Sequence, residues 1–142
     1  MIVKTVDAAQ INLVLQVAIF IILSASIREL KKKRNFPLHG SMMAIAVVLN
    51  FISFLLVMGP SLIGLQEFVL SKPLNILSIV TLLHASFGAL AEVFGVWTVI
   101  SWRLHSPVKY CMSKKKLMRA IIVLWLISLF SGFVFYALLY MA

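Results

Sequence analysis

Between Asp7 and Arg28 the chain carries no charged residue. A helix needs ~20 apolar residues to cross ~30 Å of hydrocarbon, so this one stretch is already long enough to span a bilayer. Three more runs follow. One extends from Leu38 to Met58, one from Leu74 to Trp102 with Glu92 as its only charge, and one from Leu117 to Tyr140 with Arg119 in its first turn. The runs are continuous rather than alternating with period two, which excludes the strands of a membrane β-barrel. The first run carries Asp7 ahead of it and has no A-x-A-like cleavage site, so it reads as a retained helix rather than a secretion signal.

Composition closes off the soluble alternatives. Of 142 residues, 63% are hydrophobic and 12% charged, whereas a soluble domain carries ~25% charge. The expected fold is all-α. It is a single integral membrane domain over 1–142, a four-helix bundle with up-down-up-down topology and spans near 8–27, 38–58, 74–102 and 117–140.

Charge sets the expected orientation. Of the 13 Lys and Arg, all but Lys4 and Lys72 fall in or beside two segments, 28–37 and 103–116. The positive-inside rule places both segments in the cytoplasm and both termini outside, in the cytoplasmic membrane of the cell. The formal net charge of +9 then reflects topology and anionic lipid, not nucleic acid.

The remaining segments carry turn signals. Pro37 suits the first turn of the second helix. Gly59-Pro60-Ser61 is expected to stop the second span and Pro73 to prepare the third. Between them lies a short amphipathic stretch expected on the outer membrane face. Trp102 and Tyr140 read as interfacial belt residues. Cys111, the only cysteine, falls in a basic loop and has no internal disulfide partner.

Polar residues inside spans are costly and therefore informative. Gln16, Asn50, Glu92 and Ser128 each fall ~15–17 Å from the basic end of their helix at ~1.5 Å per residue. They are expected to form one polar layer in the bundle core. A buried carboxyl such as Glu92 is cheapest when neutral and hydrogen-bonded. It is either structural glue or a proton-handling group. On the third span His84, Gly88, Ala91, Glu92 and Gly95 form one helical stripe of small and polar residues. On the second span His39, Met43, Ala46, Asn50 and Ser53 or Phe54 share a face. Ser131-Gly132 on the fourth reads as a point of close helix approach.

No Ser-His-Asp set, phosphate loop, paired carboxylate or zinc-hydrolase spacing is present. Catalysis is therefore not the expected role. Of the three histidines, His84 and His105 lie ~30 Å apart along one helix and cannot share an ion. Two-ligand options remain. His39 with His105 is one, near the cytoplasmic face. His84 with Met58 is the other, on the outer side. His/Met ligation suits haem b, and a thioether suits Cu(I).

Several stretches resemble the YozB-type four-helix membrane family. They are His39-Gly40-Ser41-Met42-Met43, Leu83-His84-Ala85, Lys116-Leu117-Met118-Arg119-Ala120 with Leu124-Trp125, and the run from Gly132 to Tyr140. That family includes a factor linked to maturation or activity of haem–copper terminal oxidases. The resemblance implies a four-helix membrane fold and a role beside a respiratory complex. Family members usually place further histidines at the outer end of span two and the start of span four. Here those places read Met58-Gly59-Pro60 and Lys114-Lys115-Lys116.

Three functions are therefore expected to compete. The first is a redox or accessory protein that binds haem b or copper for a haem–copper oxidase or electron-transfer complex. The second is a cofactor-free structural subunit of a larger membrane complex. The third is a proton or ion path through the Gln16, Asn50 and Glu92 layer. The expected partners are membrane lipids, with subunits of a respiratory complex or a second copy of the chain.

Overall fold

The computed structural model describes residues 2–104 and 107–141. Helix α1 spans Ile2–Lys33, α2 Phe36–Ser53, α3 Gly59–Ser71, α4 Ile76–Leu104, α5 Pro107–Ser113 and α6 Lys115–Tyr140. A π-helical turn, Phe54–Met58, joins α2 to α3. Four segments are long and apolar enough to cross a membrane: 7–33, 36–71, 76–104 and 115–140.

The basic segment 28–37 is much shorter as a loop than its charge suggested. α1 runs on to Lys33, with Glu29 and Lys33 paired at 3.2 Å one turn apart, and only Arg34 and Asn35 separate it from α2. Arg34 makes the reversal at φ 51°, the left-handed conformation that normally favours glycine. Asn35 then caps α2, its side-chain oxygen accepting from the Leu38 amide at 3.1 Å, and Pro37 occupies the first turn.

Gly59-Pro60 does not end the second span. The helix continues through the π-turn into α3, where Pro60 sits in the first turn and needs no donor. The Gly59 amide reaches back to the Phe54 carbonyl, the wider i→i−5 spacing that admits one extra residue per turn. The expected interfacial segment is thus the far end of a continuous 36-residue rod, Phe36–Ser71. The turn into α4 is closed by Asn75, whose side chain accepts from the Leu77 amide at 2.9 Å.

The long helices run antiparallel in sequence, up-down-up-down. Ser26 meets His39 and Gln16 meets Asn50 between α1 and α2. Trp102 meets Gly40 and Glu92 meets Asn50 between α4 and α2. α4 and α6 share the largest interface. The core takes one residue from each long helix, Ile19, Ala46, Ala91 and Trp125. A second cluster, Trp102, Tyr110 and Cys111 with Phe36 and Met118, lies at the end that carries the basic segments.

Outward faces are apolar. Val14, Leu56 and Phe130 are 70%, 72% and 72% exposed. In water such a surface would drive association, whereas hydrocarbon matches it.

Candidate functional site

Three polar constellations lie between the helices. In the middle of the bundle, Gln16 of α1 donates its amide N–H to Asn50 Oδ1 of α2 at 3.0 Å and reaches Ser53 Oγ at 3.4 Å. Ser53 Oγ in turn donates to Asn12 Oδ1. On the other side, Asn50 Nδ2 donates to Glu92 Oε2 of α4 at 2.6 Å. One amide therefore links three helices, with its oxygen satisfied by α1 and its nitrogen by α4.

Ser128 does not join this layer. Its hydroxyl donates to the His84 carbonyl at 3.1 Å, and its own carbonyl accepts from His84 Nδ1 at 2.8 Å. The expected layer failed at this helix because α6 packs on a different face of α4 from α2. The small-residue stripe of α4 divides accordingly. Gly88 and His84 face α6, where an added Cβ at Gly88 would stand 2.8 Å from Ser128 Oγ. Ala91, Glu92 and Gly95 face the bundle interior toward α2, where an added Cβ at Gly95 would lie 3.3 Å from Val47. Ser131-Gly132 is the close approach its composition implies. The His84 ring covers Gly132, with Cε1 2.9 Å from where a Cβ would stand, and stacks against Phe135 at 6.4 Å.

The third constellation pins His39. Its Nδ1 lies 2.8 Å from Ser26 Oγ and 3.2 Å from the Ser26 carbonyl, while Ser26 Oγ donates to the His39 carbonyl at 3.1 Å. A carbonyl only accepts, so the 2.8 Å contact with the Ser128 carbonyl puts the His84 proton on Nδ1. The nearest partner of His39 Nδ1 is instead the Ser26 hydroxyl, which can donate or accept. Every recorded hydrogen bond of both rings falls on Nδ1. At His84 this leaves the Nε2 lone pair bare. This is the arrangement in which imidazole meets a metal, its other nitrogen tied to a carbonyl.

The two rings are separated along the bundle. His39 packs at the end that holds Trp102, whereas His84 lies 18 positions earlier on α4. Met58 lies in the π-turn, half-buried, and the recorded contacts of His84 are with Ser128, Gly132 and Phe135. His105 falls outside the described residues. Among the described residues no group of three His, Cys, Asp or Glu could hold a metal ion.

Between Glu92 and the basic end lies a cavity of about 90 Å³. Its ends are marked by Asn50 and Glu92 on one side and by His39, Trp102 and Cys111 on the other, with Thr98 between. The walls are otherwise aliphatic and methionine side chains, with Trp125 and the glycines Gly40 and Gly95. Two of its residues depart from their sequence reading. Trp102 is only 8% exposed, folded inward over Gly40, rather than standing in a belt. Cys111 lies on α5 and is buried, and that burial pushes its thiol pKa up. Periodicity gave no sign of this, because α5 is a short helix whose docking depends on the room left beside a glycine.

No known protein-family model, curated protein or solved structure matches the chain.

Proposed function

We propose that the chain is a small multi-pass membrane accessory protein that offers one imidazole to haem b or copper beside a respiratory haem–copper oxidase or electron-transfer complex. The observation that carries the reading is the tautomer of His84, with Nδ1 tied to a helix carbonyl and Nε2 bare. His84 is the favoured ligand because it is half-buried at the α4–α6 seam, whereas His39 is 4% exposed.

The donors fit single-imidazole ligation. The interior does not fit a macrocycle, since a site for a drug-sized ligand takes ~300–1,000 Å³ and the cavity is about 90 Å³. The group would therefore sit at the bundle surface, with the remaining ligands supplied by a partner subunit. When bound, haem or copper supplies one-electron chemistry. The protein's own part is to orient the ring. Ser128 fixes its tautomer, Gly132 leaves room for its edge, and Phe135 excludes water from one face.

A second reading rests on the same contacts. His84 and Ser128 exchange two hydrogen bonds across α4 and α6, which a cofactor-free structural subunit would also use to clamp its helices.

The test is a visible spectrum, oxidised and dithionite-reduced, on protein purified with its native membrane partners, with metal analysis of the same sample. A Soret band or stoichiometric copper is expected, lost in His84→Ala and kept in Ser26→Ala. A colourless, metal-free complex would refute the ligand role and leave the structural one.

A further inference from the structure

Among the described residues, three buried polar atoms around the central cavity have no hydrogen-bond partner: Glu92 Oε1, Thr98 Oγ1 and Trp102 Nε1. All three residues line the cavity and all belong to α4. Thr98 and Trp102 are each 8% exposed. Six and ten residues beyond Glu92, they divide the cavity at ~9 and ~15 Å along the helix axis. An unpartnered buried polar atom costs ~1–3 kcal/mol in general, and three on one wall point to a ligand that meets them in turn.

That ligand must be small and must both donate and accept. Trp102 Nε1 only donates, whereas Thr98 Oγ1 and a protonated Glu92 do both. Water occupies ~30 Å³ and needs 2–4 polar partners, so a cavity of about 90 Å³ has room for a file of two or three molecules. We propose that this file connects Glu92 to the basic end of the bundle and makes Glu92 a proton-loading group addressed from that face alone.

The other face is shut by chemistry. Glu92 Oε2 is occupied by Asn50, whose oxygen is occupied by Gln16. Carboxamides at neutral pH hold their protons and do not relay them. On unloading, the Oε1–H bond breaks and its proton passes to the adjacent water. A proton leaves the far end of the file to bulk water. The electron pair stays on the carboxylate, which the Asn50 N–H stabilises. Loading is the reverse. Among the described residues, the titratable groups that face the cavity are Glu92 from α4, His39 from α2 and Cys111 from α5. α1 and α6 contribute Ile19, Leu23, Met118, Ile121, Ile122 and Trp125, none of which titrates. The proposal is independent of any metal at His84.

The test is infrared spectroscopy of the full-length protein in lipid, following the carbonyl stretch of a protonated carboxylic acid after transfer to D2O. A band that shifts at a measurable rate, far faster than hours, and is absent in Glu92→Gln is expected. Thr98→Val conserves shape and removes one hydrogen bond, so it is expected to slow the shift roughly tenfold. Gly95→Leu, aimed into the cavity, is expected to slow it further. Thermal unfolding of each variant shows whether it folds, and Glu92→Gln keeps an acceptor for Asn50. A Glu92 band that exchanges only over hours, or at a rate unchanged in folded Thr98→Val, overturns the proposal. So does the lack of any band lost in Glu92→Gln.

Discussion

The indole of Trp102 lies across Gly40, its six-membered ring occupying the space that any Cβ at position 40 would fill. One hydrogen atom in place of a side chain thus lets α2 and α4 approach each other at the basic end of the bundle. It also creates the shelf on which Tyr110 and Cys111 of α5 rest.

Gly40→Ala is accordingly expected to destabilise the protein by ~1–3 kcal/mol, the usual cost of overpacking. Gly64→Ala is the control. No heavy atom lies within 4 Å of a Cβ there, and alanine favours a helix by up to ~1 kcal/mol. Thermal unfolding in one detergent compares the two, and equal melting temperatures would contradict the Trp102 contact.

Asn50→Leu removes the amide that links α1 to α4. It strands Gln16 and Glu92 together, so a loss of ~2–3 kcal/mol is expected. The pair Gln16→Leu and Asn50→Leu should be less costly than the sum of its members, because the two share one bond. Strict additivity in a double-mutant cycle would show that the bond contributes nothing.

At the α4–α6 seam, Ser128→Ala loses the hydroxyl bond to the His84 carbonyl but keeps the backbone carbonyl that orients Nδ1. A loss of about 1 kcal/mol is expected, with the ring in place. Gly132→Val drives a side chain into the ring and should displace it. The imidazole nitrogen resonances measure both: unchanged in Ser128→Ala, shifted in Gly132→Val. The reverse pattern would move the anchor from Ser128 to elsewhere.

Burial holds the Cys111 thiol above its ordinary pKa. The folded state therefore binds this proton more tightly than the unfolded state does. The resulting stability is fully present below the unfolded thiol value, ~8.5, and is lost as pH rises through the higher folded value. Cys111→Ala should flatten the fall in melting temperature above that pH. A thiol reagent should also label the native protein more slowly than the unfolded one. Equal labelling rates would place Cys111 at the surface.

Arg34 turns the chain at φ 51°. Arg34→Gly relieves a left-handed backbone worth ~1–2 kcal/mol, offset by greater freedom of the unfolded chain, so a net gain of up to about 1 kcal/mol is expected. Chemical denaturation decides it, and any loss would mean that the Arg34 side chain itself holds the turn.

The four apolar segments were legible in the sequence because length and missing charge act locally, whatever the helices pack against. The α2 face was legible too. Of the expected face, His39, Ala46, Asn50 and Ser53 are buried and Met43 is half-buried, since one neighbour on each side suits a single stripe. The Gln16–Asn50–Glu92 set could be anticipated because buried polar groups must find each other. What the sequence could not settle was how the α4 stripe divides between α2 and α6, which sent Ser128 to His84 and left Glu92 beside the cavity. Nor could it show that Gly59-Pro60 bends the helix register without ending it, or that Trp102 and Cys111 turn inward. Each of these depends on which surface of a second helix arrives opposite. That is a property of how the whole set of side chains packs, not of any one segment.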